Sequence, residues 1–514
     1  MRMSIRSLLL PVVVVLLSGC SFIPLYSNAN EPVAESPATR PWGEYDAIPS
    51  GGSVASLEVP WRINSACRNG LKVQRGETPD LTVFQTRADC AGKAPDSFFV
   101  AAALSGGGSR ASIFSAQVLF ELERYGLLEQ VDVLSSVSGG SYTAAYYALS
   151  CDRPRTPSCP HTIEGPDRFA WNEETLFPLL EQDFIGRWIA NWFWPDNMAR
   201  YWLTHYDRTD IMAETLSDNL YDNSDWGNEG FRMQDLNPQR PNLIINATDN
   251  TFIDIASNAK KHECAPELES KGKCKGLGFT FTQEYFQALN SNLDRFPVAN
   301  AVTASAAFPF GFQYVTLRDY SLPGKRFIHL FDGGTSDNLG LRTLDPLIDA
   351  YSREGAATVV ILIDAYTPPV GVSASEAEPR DMIDYFIDTN FMDSYDTLMT
   401  QLRREKIGVT QNLLSRHSNA MGHPNQFIHL TFADLSRTDP KLYKIVSSVP
   451  TDLAIDPNDA NCLRKAARTL VDGSLEAKGD ELRRLGLLTR RPREASKLPP
   501  CDLDPPEPQQ PEPN

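Results

Sequence analysis

The chain has 514 residues, of which 48 are Lys or Arg and 65 are Asp or Glu, so its formal net charge is −17. Hydrophobic residues make up 42% of it, enough for a large core, which excludes a globally disordered or fibrous protein. The acidic balance argues against nucleic acid as a partner, because phosphates attract basic surfaces. It argues equally against electrostatic capture on an anionic bilayer.

The N-terminus has the pattern of an export signal. Two arginines in the first seven residues precede a continuous apolar run over residues 8–17, which is too short to span a bilayer of about 30 Å. The ending Leu17-Ser18-Gly19-Cys20 resembles a bacterial lipobox, whose Cys becomes the acylated first residue of the mature protein. We expect residues 1–19 to be removed, Cys20 to carry an acyl anchor such as palmitate, and the protein to reside at the outer membrane, because Ser21 follows the Cys. The alternative is an ordinary signal peptide with an incidental Cys.

Composition divides the rest of the chain. Residues 20–58 are rich in Pro, Ser, Asn and Ala and predict a flexible tether, and residues 59–96 predict an irregular, Cys-bearing preface with one short strand at Leu81–Thr86. Residues 366–498 form a C-terminal extension of helices and loops. The last 16 residues, 499–514, hold seven prolines and predict a disordered tail.

Eight cysteines remain when Cys20 is set aside, an even number that indicates disulfides in an exported chain. Proximity in sequence predicts that neighbours pair, although eight cysteines allow about 105 connectivities. The expected pairs are Cys67–Cys90, Cys151–Cys159, Cys264–Cys274 and Cys462–Cys501. A metal site is disfavoured, because no Cys-x-x-Cys or clustered His accompanies these residues.

Strands and helices alternate after residue 97. The apolar run Phe98–Leu104 predicts a buried parallel strand, and apolar spacing then predicts a helix over Ser112–Tyr125. A second strand is predicted at Val131–Val137 and a second helix at Gly140–Leu149. This order indicates a parallel α/β sheet. Further strands are predicted at Asn242–Ala247, Arg326–Phe331 and Thr358–Ile363.

Two glycine-rich turns follow the first two predicted strands. Ser105-Gly106-Gly107-Gly108-Ser109-Arg110 opens the first helix, where backbone N–H groups can hold a phosphate or a transient oxyanion. Ser136-Val137-Ser138-Gly139-Gly140 is close to a Gly-x-Ser-x-Gly elbow, with Ser136 replacing the first glycine. Such an elbow makes a serine protrude beyond the sheet edge. An ordinary serine-rich turn that caps a helix is the alternative.

A carboxylate follows a later strand. Asp332-Gly333-Gly334 comes directly after Arg326–Phe331, and the carboxyl ends of the strands form the edge at which open α/β sheets place their sites. A serine needs a base to act as a nucleophile, and a carboxylate within about 2.6–3.2 Å of its hydroxyl can serve.

These three motifs, in this order, resemble those of the patatin-like phospholipases. That family carries a glycine-rich oxyanion loop with a basic residue, a Gly-x-Ser-x-Gly elbow and an Asp-Gly-Gly/Ala. A fourth similar string is Ala304-Ser305-Ala306-Ala307-Phe308-Pro309. Ala111 and Ser136 stand at family glycine positions. The resemblance covers residues 97–365, which are therefore expected to form the catalytic domain.

The resemblance implies a three-layer α/β/α fold with a mainly parallel central sheet. It also implies a lipid acyl hydrolase of the phospholipase or lysophospholipase type, with membrane lipids as its substrate and no metal or cofactor. Ser138 would be the nucleophile and Asp332 its general base. The oxyanion would be held by the N–H groups of Gly106, Gly107 and Gly108. Arg110 would orient the loop or meet a substrate phosphate.

Two alternatives stay open. In a Ser-His-Asp hydrolase, Asp364 could be the acid and His417, His423 or His429 the base. The protein could also be a catalytically silent lipoprotein that binds lipid or a protein through the same pocket.

Five of the eight tryptophans lie in residues 171–202. Ile185, Trp188, Ile189, Trp192 and Phe193 recur there at helical spacing. The segment is interpreted either as a lid or interfacial helix beside an acyl pocket, or as a buried amphipathic helix.

Overall fold

The computed structural model describes thirteen stretches of the chain, together with residues 30–32 and the single residue 422. These stretches are 98–150, 170–221, 230–237, 240–249, 253–254, 273–274, 277–308, 311–321, 326–353, 356–367, 390–416, 425–488 and 491–503. The predicted signal, Cys20, the preface and most of the tether and tail lie outside the described residues. So does at least one cysteine of each predicted pair except Cys462–Cys501.

The described residues contain ten strands, eight of which form one sheet. They are β1 (Phe98–Leu104), β2 (Val133–Val137), β3 (Asn242–Asp249), β4 (Ile253–Asp254), β5 (Lys273–Cys274), β6 (Leu277–Thr280), β7 (Val315–Asp319), β8 (Arg326–Asp332), β9 (Ala357–Asp364) and β10 (Gln426–Thr431). The order of the main sheet is β10-β9-β1-β2-β3-β8-β7, with β6 paired to β3 beside β8. β10, β9, β1, β2 and β3 are parallel. β8, β7 and β6 join by antiparallel pairing.

Helices cover both faces of this sheet. They are α1 (Gly108–Arg124), α2 (Gly139–Leu149), α3 (Glu173–Leu180), α4 (Phe184–Trp192), α5 (Pro195–Leu203), α6 (Arg208–Leu216), α7 (Gln283–Ala288), α8 (Val298–Ser305), α9 (Gly334–Asp337), α10 (Asp345–Arg353), α11 (Asn390–Arg416), α12 (Leu435–Thr438), α13 (Pro440–Ser448) and α14 (Pro457–Arg484). None of the described helices is both long and apolar enough to span a bilayer.

The central strands are buried on both faces because their side chains alternate between two cores. Val100, Ala102 and Leu104 of β1 belong to the core that packs under α1, α2, α8 and α14. Phe99 and Ala101 belong to the opposite core, under α10 and α11. This alternation explains the continuous apolar run over β1. The three-layer α/β/α fold with a mainly parallel sheet is thus confirmed.

The strands and helices predicted between residues 97 and 365 are found, with shifted ends, whereas the predicted strand Leu81–Thr86 lies outside the described residues. α1 begins at Gly108 rather than Ser112, because the glycine-rich turn itself enters the helix. β2 begins at Val133 rather than Val131. β3 continues two residues beyond Ala247, to Asp249, because β6 and β8 pair with its end.

The C-terminal residues belong to the same folded body as the sheet. β10 adds a parallel strand beside β9, and α14 packs on α1 with buried Leu463, Ala467 and Leu470. The disulfide Cys462–Cys501 is formed, as the spacing predicted, and joins α14 to the segment that follows it.

Three residues of the predicted tether are held against the body. The Asn30 side chain donates to the carbonyl of Arg318 (2.8 Å) and accepts from its N–H (2.8 Å). Arg318 lies on the edge strand β7, whose outward N–H and C=O need partners. The expectation of a flexible tether over residues 20–58 is therefore corrected at residues 30–32.

Candidate active site

Ser138 lies in the sharp turn between β2 and α2. Its φ is 49° and its ψ is −125°, an uncommon conformation for a residue with a Cβ. The turn is crowded, since a Cβ on Gly139 would collide with the carbonyl of Gly108. Gly140 likewise packs against the backbone of Leu104 and Ser105. This close packing is what a nucleophile elbow requires of its neighbours.

Asp332 ends β8 and lies beside Ser138, but for a reason that differs from the sequence argument. β8 is antiparallel to β3, so its carboxyl end points opposite to those of the parallel strands. The register pairs Asp332 with Ala247, one residue beyond the pairing of Val137 with Asn246. β8 therefore runs back along the extended end of β3 and brings Asp332 level with the elbow. The Ser138 side chain neighbours the Asp332 carboxyl and acts to lower its pKa.

The Asp332 carboxyl is buried, and burial disfavours its charged form. A hydrogen bond from the Gly334 N–H (2.7 Å to Oδ1) and the neighbouring Ser138 side chain oppose this effect. Burial dominates, and it raises the pKa of Asp332 to about 6. The carboxyl is thus ionised at neutral pH, yet basic enough to accept a proton.

Ser305, within the string Ala304–Pro309, holds both sides of this pair. Its hydroxyl accepts from the Ser138 N–H (2.9 Å) and donates to the carbonyl of Asn246 (2.6 Å). Its carbonyl accepts from the Gly333 N–H, and the next carbonyl but one, of Ala307, accepts from the Asp332 N–H (both 3.1 Å). The sequence marked this string as family-like but assigned no role to Ser305.

The glycine-rich turn lies against the elbow, as the motif order predicts. Gly107 has φ 140° and Gly108 has φ 58°, so both need the freedom of glycine. The Gly106 N–H already donates to the carbonyl of Asn338 (3.0 Å). In the part of the chain that the structure describes, the N–H groups of Gly107 and Gly108 have no acceptor. This geometry favours Gly107 and Gly108 over Gly106 as donors to an oxyanion.

Arg110 is buried, and its guanidinium fixes the turn. It donates to the carbonyl of Ala365 (3.0 Å), to the Thr451 hydroxyl (2.9 Å) and to the carbonyl of Val449. Burial lowers its pKa to about 10, so the group remains a cation at neutral pH. These hydrogen bonds join the first turn of α1 to Ala365 after β9 and to residues 449 and 451.

The two departures from the family glycines are accommodated. Ser136 is buried at the end of β2, where its hydroxyl donates to the carbonyl of Ile244 (3.3 Å) and accepts from Ser141 (3.0 Å). Ala111 is buried in the first turn of α1, and its N–H donates to the carbonyl of Gly107 (3.2 Å). Neither side chain occupies the space between Ser138 and Asp332.

Asp364 and His429 are paired, but on a different part of the sheet edge. His429 Nε2 lies 2.8 Å from Asp364 Oδ2, which Arg403 also contacts. Burial acts to raise the pKa of Asp364, but the His429 hydrogen bond and the Arg403 charge bring it below its usual value. β10, which carries His429, is separated from β2 by β9 and β1, about 14 Å at the usual strand spacing. The remaining candidates, His417 and His423, lie outside the described residues.

Two aromatic residues near Asp332 were not identified from the sequence: Tyr142, and Phe184, which packs against Tyr142. Tyr142 is buried in α2, and burial together with the Asp332 charge raises its pKa well above its usual value. Its ring packs edge-on against that of Phe184, with 5.8 Å between centroids. Among the described residues, no group of three His, Cys, Asp or Glu side chains could hold a metal ion.

The edge of this α/β sheet carries a strained serine and a buried aspartate beside a glycine-rich turn. This combination is typical of a class of serine hydrolases. Residues 102–345 match the family model described as "Patatin-like phospholipase". This match covers slightly less than half of the chain, so residues 102–345 form a region similar to the patatin-like phospholipases.

Solved structures with a similar fold include human GIVD cytosolic phospholipase A2, at 13% identity and a TM-score of 0.42. The match covers 77% of this chain and 61% of the human one, so this chain spans about three fifths of that protein's length. VipD from Legionella pneumophila matches at 13% identity and a TM-score of 0.30, over 75% of this chain and 67% of VipD. A comparison with curated protein sequences finds no significant match.

Proposed function

We propose that the protein hydrolyses acyl esters of membrane lipids, as a phospholipase or lysophospholipase, with Ser138 as the nucleophile and Asp332 as its base. The observation that carries this proposal is a strained serine in the turn between β2 and α2, next to a buried carboxylate whose pKa is raised. The family match supports the lipid ester as substrate.

In this proposal, each chemical step is performed by a named group of the chain. As Ser138 Oγ attacks the ester carbonyl carbon, its proton passes to the Asp332 carboxylate. The N–H groups of Gly107 and Gly108 stabilise the oxyanion, and Gly106 holds the turn through Asn338. Protonated Asp332 then gives its proton to the departing alcohol oxygen, which leaves an acyl-Ser138 ester. Water, deprotonated by Asp332, hydrolyses this ester and restores both residues.

We also propose that the mature protein is a lipoprotein of the cell envelope, anchored through acylated Cys20 at the outer membrane. The lipobox-like ending at Cys20 and the Ser at position 21 support this location. Membrane lipids would then serve both as anchor and as substrate. The test is metabolic labelling with a palmitate analogue, which should be lost in Cys20→Ser.

Covalent labelling with a fluorophosphonate probe tests the chemistry. The wild type should label, and Ser138→Ala should not, because the attacking oxygen is gone. Asp332→Asn should label at least a hundredfold more slowly, since general-base assistance is worth about 10²–10⁴. Ser115→Ala is the matched serine control, because its buried hydroxyl has no partner among the described residues.

His429→Gln distinguishes the dyad from a Ser-His-Asp triad. Glutamine keeps a polar contact to Asp364 but cannot act as a base, so labelling should persist. Loss of labelling in folded His429→Gln, or in His417→Ala or His423→Ala, would contradict the dyad. A folded wild type that never labels would favour a silent lipid-binding protein.

A further inference from the structure

Exposed apolar side chains are concentrated on one surface near the site. The surface is built by α4, α5 and the described residues of the loop after α8 (308 and 311–314), and the Trp188 ring of α4 lies 5.3 Å from the Phe312 ring of this loop. We call this surface the apolar face. Its exposed members are Ile189, Phe193, Trp194, Leu203, Phe308 and Tyr314.

The apolar residues at helical spacing in and directly after α4 divide into half-buried and exposed members, with Ile189 and Phe193 exposed. Trp188 and Trp192 are half-buried, and the Trp188 indole N–H donates to the carbonyl of Arg208 (2.8 Å). Phe193 and Trp194, at the junction of α4 and α5, are 58% and 52% exposed. The tryptophans inside α4 therefore hold the helix on the body, and the junction residues face outward.

The apolar face adjoins the site from two directions. α4 begins at Phe184, whose ring packs against Tyr142 beside Asp332 and whose N–H donates to the carbonyl of Leu453 (3.3 Å). The loop begins at Phe308, directly after Ala307, whose carbonyl holds the Asp332 N–H. Each of the two elements that carry the apolar face therefore also contacts a residue of the site, Tyr142 in one case and Asp332 in the other.

The small number of charges on this surface and the acidity of the chain favour a zwitterionic bilayer over an anionic one. Residues 184–203 hold only Arg187, Asp196 and Arg200 as charged groups, and Arg200 is paired with Glu214 (2.8 Å). The whole chain is strongly acidic. An anionic bilayer would repel such a protein, whereas Trp and Tyr side chains favour the headgroup zone of any bilayer.

We propose that the apolar face docks the protein on a zwitterionic lipid bilayer and presents lipid esters to Ser138. The delivery of lipid esters to Ser138 rests on the proposed function, but docking on the bilayer requires no hydrolysis. It can therefore be measured with Ser138→Ala, so that failure of docking and failure of catalysis are separate results.

The experiment is flotation with phosphatidylcholine vesicles. The chain from Ser21 to Asn514 keeps every residue that the structure describes and removes the proposed anchor. In the Ser138→Ala background, Phe193→Ser/Trp194→Ser should weaken vesicle binding about tenfold or more, because two exposed aromatic rings no longer enter the bilayer. The matched control is Leu398→Ser/Val409→Ser, which changes two exposed apolar residues (53% and 38%) of α11 on the opposite face of the sheet.

Selective loss in the first double variant, with both variants folded, supports the proposal. Equal binding by the two variants, or no vesicle binding by the parent, overturns it. So does tighter binding to phosphatidylserine than to phosphatidylcholine vesicles. If the parent is a dimer that the first variant dissociates while vesicle binding is unchanged, a second copy covers this face and the lipid proposal is wrong.

Discussion

At the scale of single residues, the site combines a strained backbone with a buried charge. Ser138 is one of two described residues other than glycine with a positive φ, the other being Asn290. Strain of this kind costs about 1–3 kcal/mol and persists only where the surroundings enforce it. Asp332 adds a second cost, because its carboxylate is ionised away from water. Both features oppose stability at the place where the chemistry is proposed.

The raised pKa of Asp332 predicts opposite pH trends for activity and stability. Labelling of Ser138 should increase with pH and reach half its maximum near pH 6, as Asp332 becomes a base. Between about pH 4 and pH 6, the unfolded chain loses this proton while the folded chain keeps it. The free energy of unfolding of the wild type, compared with that of Asp332→Asn, should therefore decrease by about 3 kcal/mol as the pH rises from 4 through 6. Below pH 4 this decrease is absent, because Asp332 is protonated in both the folded and the unfolded chain.

The measurement is urea unfolding of the wild type and Asp332→Asn at pH 4 and at pH 7, beside the pH profile of labelling. Comparing the two proteins cancels the titration of every other group. A difference in unfolding free energy that does not change with pH would contradict the raised pKa, as would labelling that is constant from pH 5 to pH 8.

At the scale of elements, α8 makes hydrogen bonds to both segments that carry the proposed reactive residues, Ser138 and Asp332. Its last residue, Ser305, joins the Ser138 N–H, the Asn246 carbonyl of β3 and the Gly333 N–H after β8. A single side chain and its backbone thus fix the spacing between elbow and base. Under the proposed mechanism, Ser305 is a positioning residue, because it contacts Ser138 and the backbone next to Asp332.

Ser305→Ala should lower kcat for a soluble ester about tenfold to a hundredfold while KM changes little, because misplacement of reacting groups affects the chemical step. Thr303→Val is the matched control in the same helix. Its buried hydroxyl has no partner among the described residues, so its replacement should leave kcat near the wild-type value. Equal kcat values for the two variants would show that Ser305 does not position the pair.

At the scale of the whole molecule, the C-terminal residues complete the site from outside the family match. The carbonyl of Asp452 accepts from the Ser109 N–H (2.7 Å), and Val449 and Thr451 hold Arg110. α13 and α14 flank this segment, and Cys462–Cys501 ties the residues after α14 back to it. The glycine-rich turn therefore depends on a part of the chain more than 300 residues away in sequence.

Opening this disulfide should destabilise the protein without changing the site directly. Cys462 and Cys501 are 39 residues apart, and closing such a loop is worth roughly 2–4 kcal/mol. Cys462→Ser/Cys501→Ser should therefore unfold at lower temperature, while the labelling rate of the folded protein at 25 °C is retained. Thermal unfolding with and without reductant measures this. A wild type whose midpoint is insensitive to reductant, with both cysteines titratable as free thiols, would contradict it.

The attachment of Asn30 to β7 limits how far the body can lie from the proposed anchor. Cys20 and Asn30 are ten positions apart in the chain, a span of at most about 35 Å. Asn30 binds Arg318, near the end of β7, whereas Tyr314 of the apolar face immediately precedes the start of this strand. The attachment point of the proposed anchor and the apolar face therefore lie toward opposite ends of β7.

The sequence alone determined the local parts of this protein: the parallel strands β1, β2, β3 and β9, the elbow at Ser138, the glycine-rich turn and Asp332. Each depends on residue types within a few positions, such as continuous apolar runs or glycines at a crowded turn, so short windows of sequence reveal it. The cysteine pair 462–501 was accessible for the same reason.

Only the tertiary structure decided how these parts meet. The antiparallel direction of β8, the use of the Gly106 N–H by Asn338 and the burial of Arg110 depend on residues distant in sequence. The same holds for Ser305, whose role needs α8, β3 and the elbow together, and for the outward orientation of Phe193 and Trp194. Strand direction, hydrogen-bond partners and exposure are properties of packing, and a linear pattern constrains them only where both partners are neighbours in the chain.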